Sequence, residues 1–216
     1  AEHLDRVTEA ARLLVSNMNR AAALVQSFKQ VAVDQTSGER RSFDLRIYID
    51  EVLFSLRPRL KRTRVTVEVD CPEGLEMDSF PGALSQVLTN LVINALIHAY
   101  GEEQRGTIRI AVHPDCGEHV VIDFSDDGAG IPEDHLQKVF EPFFTTKRGE
   151  GGSGLGLHIV HSTVTGVLGG TVAVRSVTGQ GTGFTLRLPR RIAREAAAPT
   201  AQPPQPGSVS GPVVPV

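Results

Sequence analysis

The sequence is short of cysteine, of net charge and of long apolar runs, and each shortage removes a class of protein. The two cysteines, Cys71 and Cys116, stand far apart and in no metal-ligand spacing. No cysteine-held metal site or disulfide framework is expected from them, and reduced thiols are the expected state. Basic and acidic residues nearly balance, 22 against 25, for a net charge of −3 over 216 residues. That leaves no electrostatic footprint for nucleic acid or an anionic membrane, so neither is expected as a partner. No stretch reaches the ~18 consecutive apolar residues that span a bilayer, and no signal-like segment opens the sequence. The expectation is a cytoplasmic domain whose parent protein could itself be anchored in the inner membrane. With 40% hydrophobic and 22% charged residues, the composition is that of an ordinary soluble domain.

Glycine and proline are missing altogether from residues 1–37. There Leu4, Val7, Ala11, Leu14, Met18, Ala21, Val25, Phe28 and Ala32 follow one another at alternating spacings of three and four. This heptad seam predicts one coiled-coil-like helix about 50 Å long. Such a stripe needs a partner helix, a second copy of itself, or both; packing on the domain that follows is the alternative. Residues 38–42 read as a linker and 43–191 as the main domain. Residues 192–216, which run into Ala, Pro, Gly, Ser and Val, read as a disordered tail.

Within the main domain the pattern predicts a helix through Ile49, Val52, Leu53 and Leu56 that stops near Pro58, a strand over 65–69 and a second helix over 81–99. Strands follow at 107–112, 120–124, 171–175 and 183–188, with a helix over 154–167. Strands in a group with a few helices give an α+β class, a two-layer α/β sandwich with a mixed sheet.

Three segments carry chemistry. On the second helix Gln86, Asn90, Asn94 and His98 recur every four residues, so they form one polar row on an otherwise apolar helix. A polar row is often a solvated face; two carboxamides a turn apart also suit Mg2+, which keeps its waters and takes few protein oxygens. Asp126-Asp127-Gly128-Ala129-Gly130-Ile131 follows a strand directly. It is either a turn or a place where a flat ligand reaches the backbone beside a carboxylate. Phe140-Glu141-Pro142-Phe143-Phe144-Thr145-Thr146-Lys147 then runs into a glycine-rich stretch ending Gly152-Ser153-Gly154-Leu155-Gly156. So much glycine suits a mobile lid, and the helix it opens offers free N–H groups to an anion. The Gly-Lys-[Ser/Thr] ending of a Walker loop is absent.

Taken together and in this order, these segments resemble the N box, first glycine box, F box and second glycine box of bacterial sensor histidine kinases. Those kinases share an ATPase superfamily with gyrase B and the heat-shock chaperones. The resemblance spans about 150 residues and implies a Bergerat-type sandwich that binds ATP and Mg2+. By position it implies that Asp126 bonds the adenine amino group, that Asn94 ligates Mg2+, and that Asn90 supports the metal or phosphate site. Gly128 and Gly130 would leave room for the base. Gly152, Gly154 and Gly156 would hinge the lid and supply amides to the phosphates, with Lys147 reaching the γ-phosphate. Ile131, Phe140, Phe144, Ser153 and Leu155 are carried over as neighbours of the nucleotide. Many members carry a basic residue three positions after the metal asparagine; here that position is Ile97, and His98 either takes over a phosphate contact or packs. Hydrolysing relatives place a glutamate where Asn90 stands, and an asparagine is no general base at neutral pH. The resemblance therefore implies phosphoryl transfer rather than rapid hydrolysis. The acceptor histidine would lie on an upstream helix outside these residues, since His3 lacks the acceptor's surroundings. A response regulator would be the downstream partner, and a homodimer the full-length state. The rival expectation is a nucleotide-binding regulatory scaffold without turnover.

Overall fold

The structure is a computed structural model, and it describes residues 38–101, 104–147 and 154–192. The heptad seam, the tail from residue 193 onward, and Gly152 and Ser153 of the lid lie outside the described residues.

A short strand, β1 (Arg41–Asp44), ends on Asp44. The Asp44 carboxylate accepts the Ile47 N–H at 2.9 Å, which caps helix α1 (Leu45–Leu60). Leu45, Tyr48, Ile49, Val52 and Leu56 lie on its buried face. The helix runs past Pro58, where the sequence pattern would stop it. In the last turn a proline forfeits only one backbone bond, so the helix ends two residues later rather than at the proline itself.

Strand β2 (Arg64–Asp70) follows, then β3 (Glu76–Ser79), which pairs antiparallel with β1 in a two-stranded sheet. With four residues each, β1 and β3 are too short to show a period in sequence. Asp78 on β3 is a junction. Its carboxylate takes the Arg40 guanidinium at 2.8 and 2.6 Å, its N–H donates to the Arg190 carbonyl, and its carbonyl accepts the Ile192 N–H.

Helix α2 (Pro81–Asn94) opens with proline, whose missing N–H costs nothing at that position. It continues as a π-helical turn over Ala95–Ala99. By length and composition Pro81–Ala99 could cross a membrane. Its apolar residues go elsewhere: Leu84, Val87, Leu88, Leu91 and Val92 are buried in the core.

The remaining elements are β4 (Arg105–Asp115), β5 (His119–Asp126), the short helix α3 (Glu133–Leu136), α4 (Gly156–Ser162), β6 (Thr171–Val177) and β7 (Gly181–Pro189). A second π-helical turn, Thr163–Val167, extends α4. The main sheet has the order β2-β4-β5-β7-β6, with β2 and β4 parallel and every other pair antiparallel. This is the expected α+β sandwich with a mixed sheet. The period of two fixes which side chains meet the helices. Val120, Ile122 and Phe124 on β5 are buried, as are Phe184, Leu186 and Leu188 on β7. Asp126 and Thr182 continue the same two alternations, and they face each other as cross-strand partners. The core face therefore ends in a polar pair.

Candidate nucleotide site

Beyond that pair lies a cavity of about 230 Å³, walled by α2 and its π turn, the loop after β5, α3, the start of α4, and β7. The polar row of α2 supplies Asn90, Asn94 and His98 to its lining. The loop after β5 supplies Gly130 and Ile131, and the aromatic segment supplies Phe144. Gly154, and Gly156 at the start of α4, complete this wall.

Asp126 is 9% exposed. Its Oδ1 accepts the N–H of Gly128 at 3.0 Å and that of Thr182 at 3.3 Å. Burial raises its proton affinity above the ordinary carboxylate value, and nearby Asp127 adds to this; the two N–H bonds oppose it. Both bonds end on Oδ1, which leaves Oδ2 for a ligand. The glycines of this loop are needed for close approach. A side chain at Gly128 would strike the backbone of Ala99, whose carbonyl accepts the Ala129 N–H at 2.8 Å. Gly130 has φ +71° and lies against the Val177 carbonyl. Asp127 faces away from the cavity: its Oδ1 accepts the Thr107 N–H at 2.8 Å and lies 2.9 Å from the Tyr100 hydroxyl.

Asn94 is the residue best placed for a metal. The carboxamide packs on the first residue of α4, where a Cβ at Gly156 would stand 3.0 Å from both amide heteroatoms. Its Nδ2 is buried without a hydrogen-bond partner; that spare donor suits a phosphate oxygen, and a cation would be taken by the carboxamide oxygen beside it. Asn90, one turn earlier, donates its Nδ2 to the Gln86 carbonyl at 3.0 Å. Among the described residues no three His, Cys, Asp or Glu side chains converge. A cation held by a neutral carboxamide, water and phosphate oxygens is what these residues fit, and that is the habit of Mg2+.

Other predicted residues sit at the margins. Gly128, Phe140, Lys147 and Leu155 do not line the cavity. Phe140 packs on the core, meets the His161 ring at a tilt with the centroids 5.3 Å apart, and its carbonyl lies 3.1 Å from His158 Nδ1. Phe140 is therefore an anchor for the aromatic segment, whereas Phe144 points inward and meets the His135 ring edge-on at 5.4 Å. Phe143 between them is 65% exposed at φ +66°. Lys147 Nζ donates to the Ile97 carbonyl at 2.6 Å, beside the cavity. That carbonyl belongs to the π turn, and its neighbour His98 is half-buried with its proton affinity lowered, first by burial and then by the Lys147 charge.

Sequence reasoning missed Thr182, Phe184 and His135, all of which line the cavity. The segment Gly181-Thr182-Gly183-Phe184 reads as a turn leading into a strand, and only the pairing of β7 with β5 carries Thr182 to Asp126.

The sequence profile of the histidine kinase-, DNA gyrase B- and HSP90-like ATPase family matches residues 81–192, more than half of the chain. The chain belongs to that family, as an ATP-binding domain of the histidine kinase kind. Its relatives are sensor kinases. Sensor histidine kinase ZraS of Escherichia coli O157:H7 is 44% identical over 120 residues, covering 56% of this chain and 25% of the relative. Sensor kinase CckA of Brucella abortus (strain 2308) is 35% identical over 204 residues, covering 86% of this chain and 21% of the relative. The nucleotide-free catalytic domain of histidine kinase ThkA superposes with a TM-score of 0.60 at 32% identity, covering 71% of this chain and 97% of that domain. The chain thus spans a quarter or less of the curated relatives just named.

Proposed function

We propose that this chain binds Mg-ATP in the cavity between α2 and the lid and presents the γ-phosphoryl group to a histidine on a helix upstream of these residues. The observation that carries the reading is the convergence on one cavity of Asn90, Asn94, Asp126 and the N-terminus of α4. Each faces a different part of a nucleotide. Asp126 Oδ2 accepts the adenine amino group. Gly154 and Gly156 bring the backbone of the lid and α4 to the phosphates. Asn94 would hold Mg2+, with Asn90 a turn away, and the ion would neutralise phosphate charge.

The reaction is an in-line displacement. An imidazole nitrogen of the acceptor bonds to the γ-phosphorus as the bond to the β,γ-bridging oxygen breaks; ADP leaves with that bond's electron pair, and the imidazole gives up its N–H proton to solvent water. This chain's own share is to bind, orient and neutralise. Asn90 offers no carboxylate to activate water, which favours transfer over hydrolysis. Lys147 would exchange the Ile97 carbonyl for the γ-phosphate, and His98 stands beside it. Relay to an aspartate of a response regulator, dimerisation through the seam of residues 1–37, and a cytoplasmic location belong to the same proposal.

Calorimetric titration with ATP, with and without Mg2+, tests it. Metal-dependent binding is the expected result. No heat of binding at millimolar ATP would overturn the proposal and favour a scaffold that no longer uses nucleotide.

A further inference from the structure

Ser176 on β6 lies behind the cavity wall and belongs to none of the boxes. Its Oγ has three polar neighbours from three segments. The Ile131 N–H lies 2.7 Å away, the Gly181 carbonyl 2.8 Å away and the Thr182 hydroxyl 3.0 Å away. A serine hydroxyl has one proton and two lone pairs. The Ile131 N–H can only donate, and the Gly181 carbonyl can only accept. One assignment satisfies all three contacts: Ser176 gives its proton to Gly181 and receives those of Ile131 and Thr182. The Thr182 proton is then committed to Ser176, and its oxygen, on a residue lining the cavity, keeps acceptor capacity only.

From this hydrogen-bond inventory we infer that Ser176 is a positioning residue for base selection, holding Thr182 as an acceptor so that the base end of the cavity favours a purine with an amino group at position 6. Asp126 Oδ2 and Thr182 Oγ1 then present acceptors together. Adenine offers an amino group there. Hypoxanthine and guanine offer a carbonyl oxygen, which meets a second acceptor and loses its hydrogen bond. The inference rests on the proposed nucleotide site and adds to it the residue that sets the direction of one hydroxyl.

The test compares Mg2+-free ADP with IDP, which differ in the purine 6-substituent and in the N1 proton that accompanies it, by calorimetry on the whole chain. The parent should prefer ADP. In Ser176→Ala the Thr182 hydroxyl is released and can turn its proton to the hypoxanthine oxygen. The ratio of the two Kd values should fall roughly 3- to 10-fold, the range of one neutral hydrogen bond. Ser176→Thr, which keeps the hydroxyl, should restore it. Thr182→Val should lower the ratio by itself, and adding Ser176→Ala should lower it no further. If Ser176 were merely structural, both nucleotides would weaken together at constant ratio, which would overturn the inference and leave the nucleotide site standing. Failure of the parent chain to bind ADP at all would overturn both.

Discussion

Replacing Asp126 with asparagine changes one oxygen to an NH2 group, and the surrounding N–H groups dictate which one. Gly128 and Thr182 both aim their N–H at Oδ1. The amide must keep its oxygen there and turn its NH2 to the side where a ligand would sit. The adenine amino group then loses a carboxylate acceptor, about 1.5–3 kcal/mol, and faces a second donor, which adds about 1–3 kcal/mol of unsatisfied burial. A total near 3–5 kcal/mol weakens ADP by roughly two to nearly four powers of ten in Kd. The fold should not suffer. Burial already raises the proton affinity of Asp126, so a neutral group is well tolerated at that place. Calorimetry with ADP measures the first effect, and a thermal melt beside the parent checks the second. Retention of the parent Kd within about threefold, with an unchanged melt, would refute the assignment of Asp126 to the adenine.

Three further outcomes follow from the same geometry. Asn94→Ala should abolish the gain in ATP affinity from added Mg2+, roughly tenfold or more, while ADP without metal binds within about threefold of the parent; calorimetry with and without metal separates these. Lys147→Ala should weaken ATP by about 3- to 10-fold and leave ADP nearly unchanged, because the amine gives up the Ile97 carbonyl only for a γ-phosphate; a displacement assay with both nucleotides reads the difference. Lowering the pH should weaken ADP binding sooner than an ordinary carboxylate would, since the raised proton affinity of Asp126 removes its acceptor at a higher pH. The sign for folding is the opposite. A carboxyl whose folded pKa is raised binds its proton better in the folded state, so this group adds stability as the pH falls through that pKa. Loss of binding with an intact melt over the same interval is the signature to look for; binding that persists until the chain unfolds would refute it.

The longer strands and the two long helices were legible in the sequence because each shows its period over five or more residues, and their order implied the sandwich. The elements that escaped are short or bent. β1, β3 and α3 have four residues each, and nothing local distinguishes them from loop. The π turns that end α2 and extend α4 look like ordinary helix in sequence, and only the fold shows that the Ile97 carbonyl, near the end of the first, accepts Lys147. At the site, Asp126, Asn90, Asn94 and Gly156 were legible because their segments carry the site themselves. Thr182 and Ser176 were not, because they reach Asp126 and Ile131 only through the register of β7 against β5 and β6. His98 and Lys147 stand far apart in sequence, and Lys147 bears on His98 because the aromatic segment folds back to the π turn.

Asp78 has a mechanical consequence. Its carboxylate holds Arg40, just before β1, and its backbone holds Arg190 and Ile192, just after β7. None of these four residues lines the cavity. The two strands that lead into and out of the domain are fastened at one rivet, so a pull on either is shared by the other. Replacing the Asp78 side chain would release the Arg40 lead alone, because the bonds to Arg190 and Ile192 are made by backbone atoms.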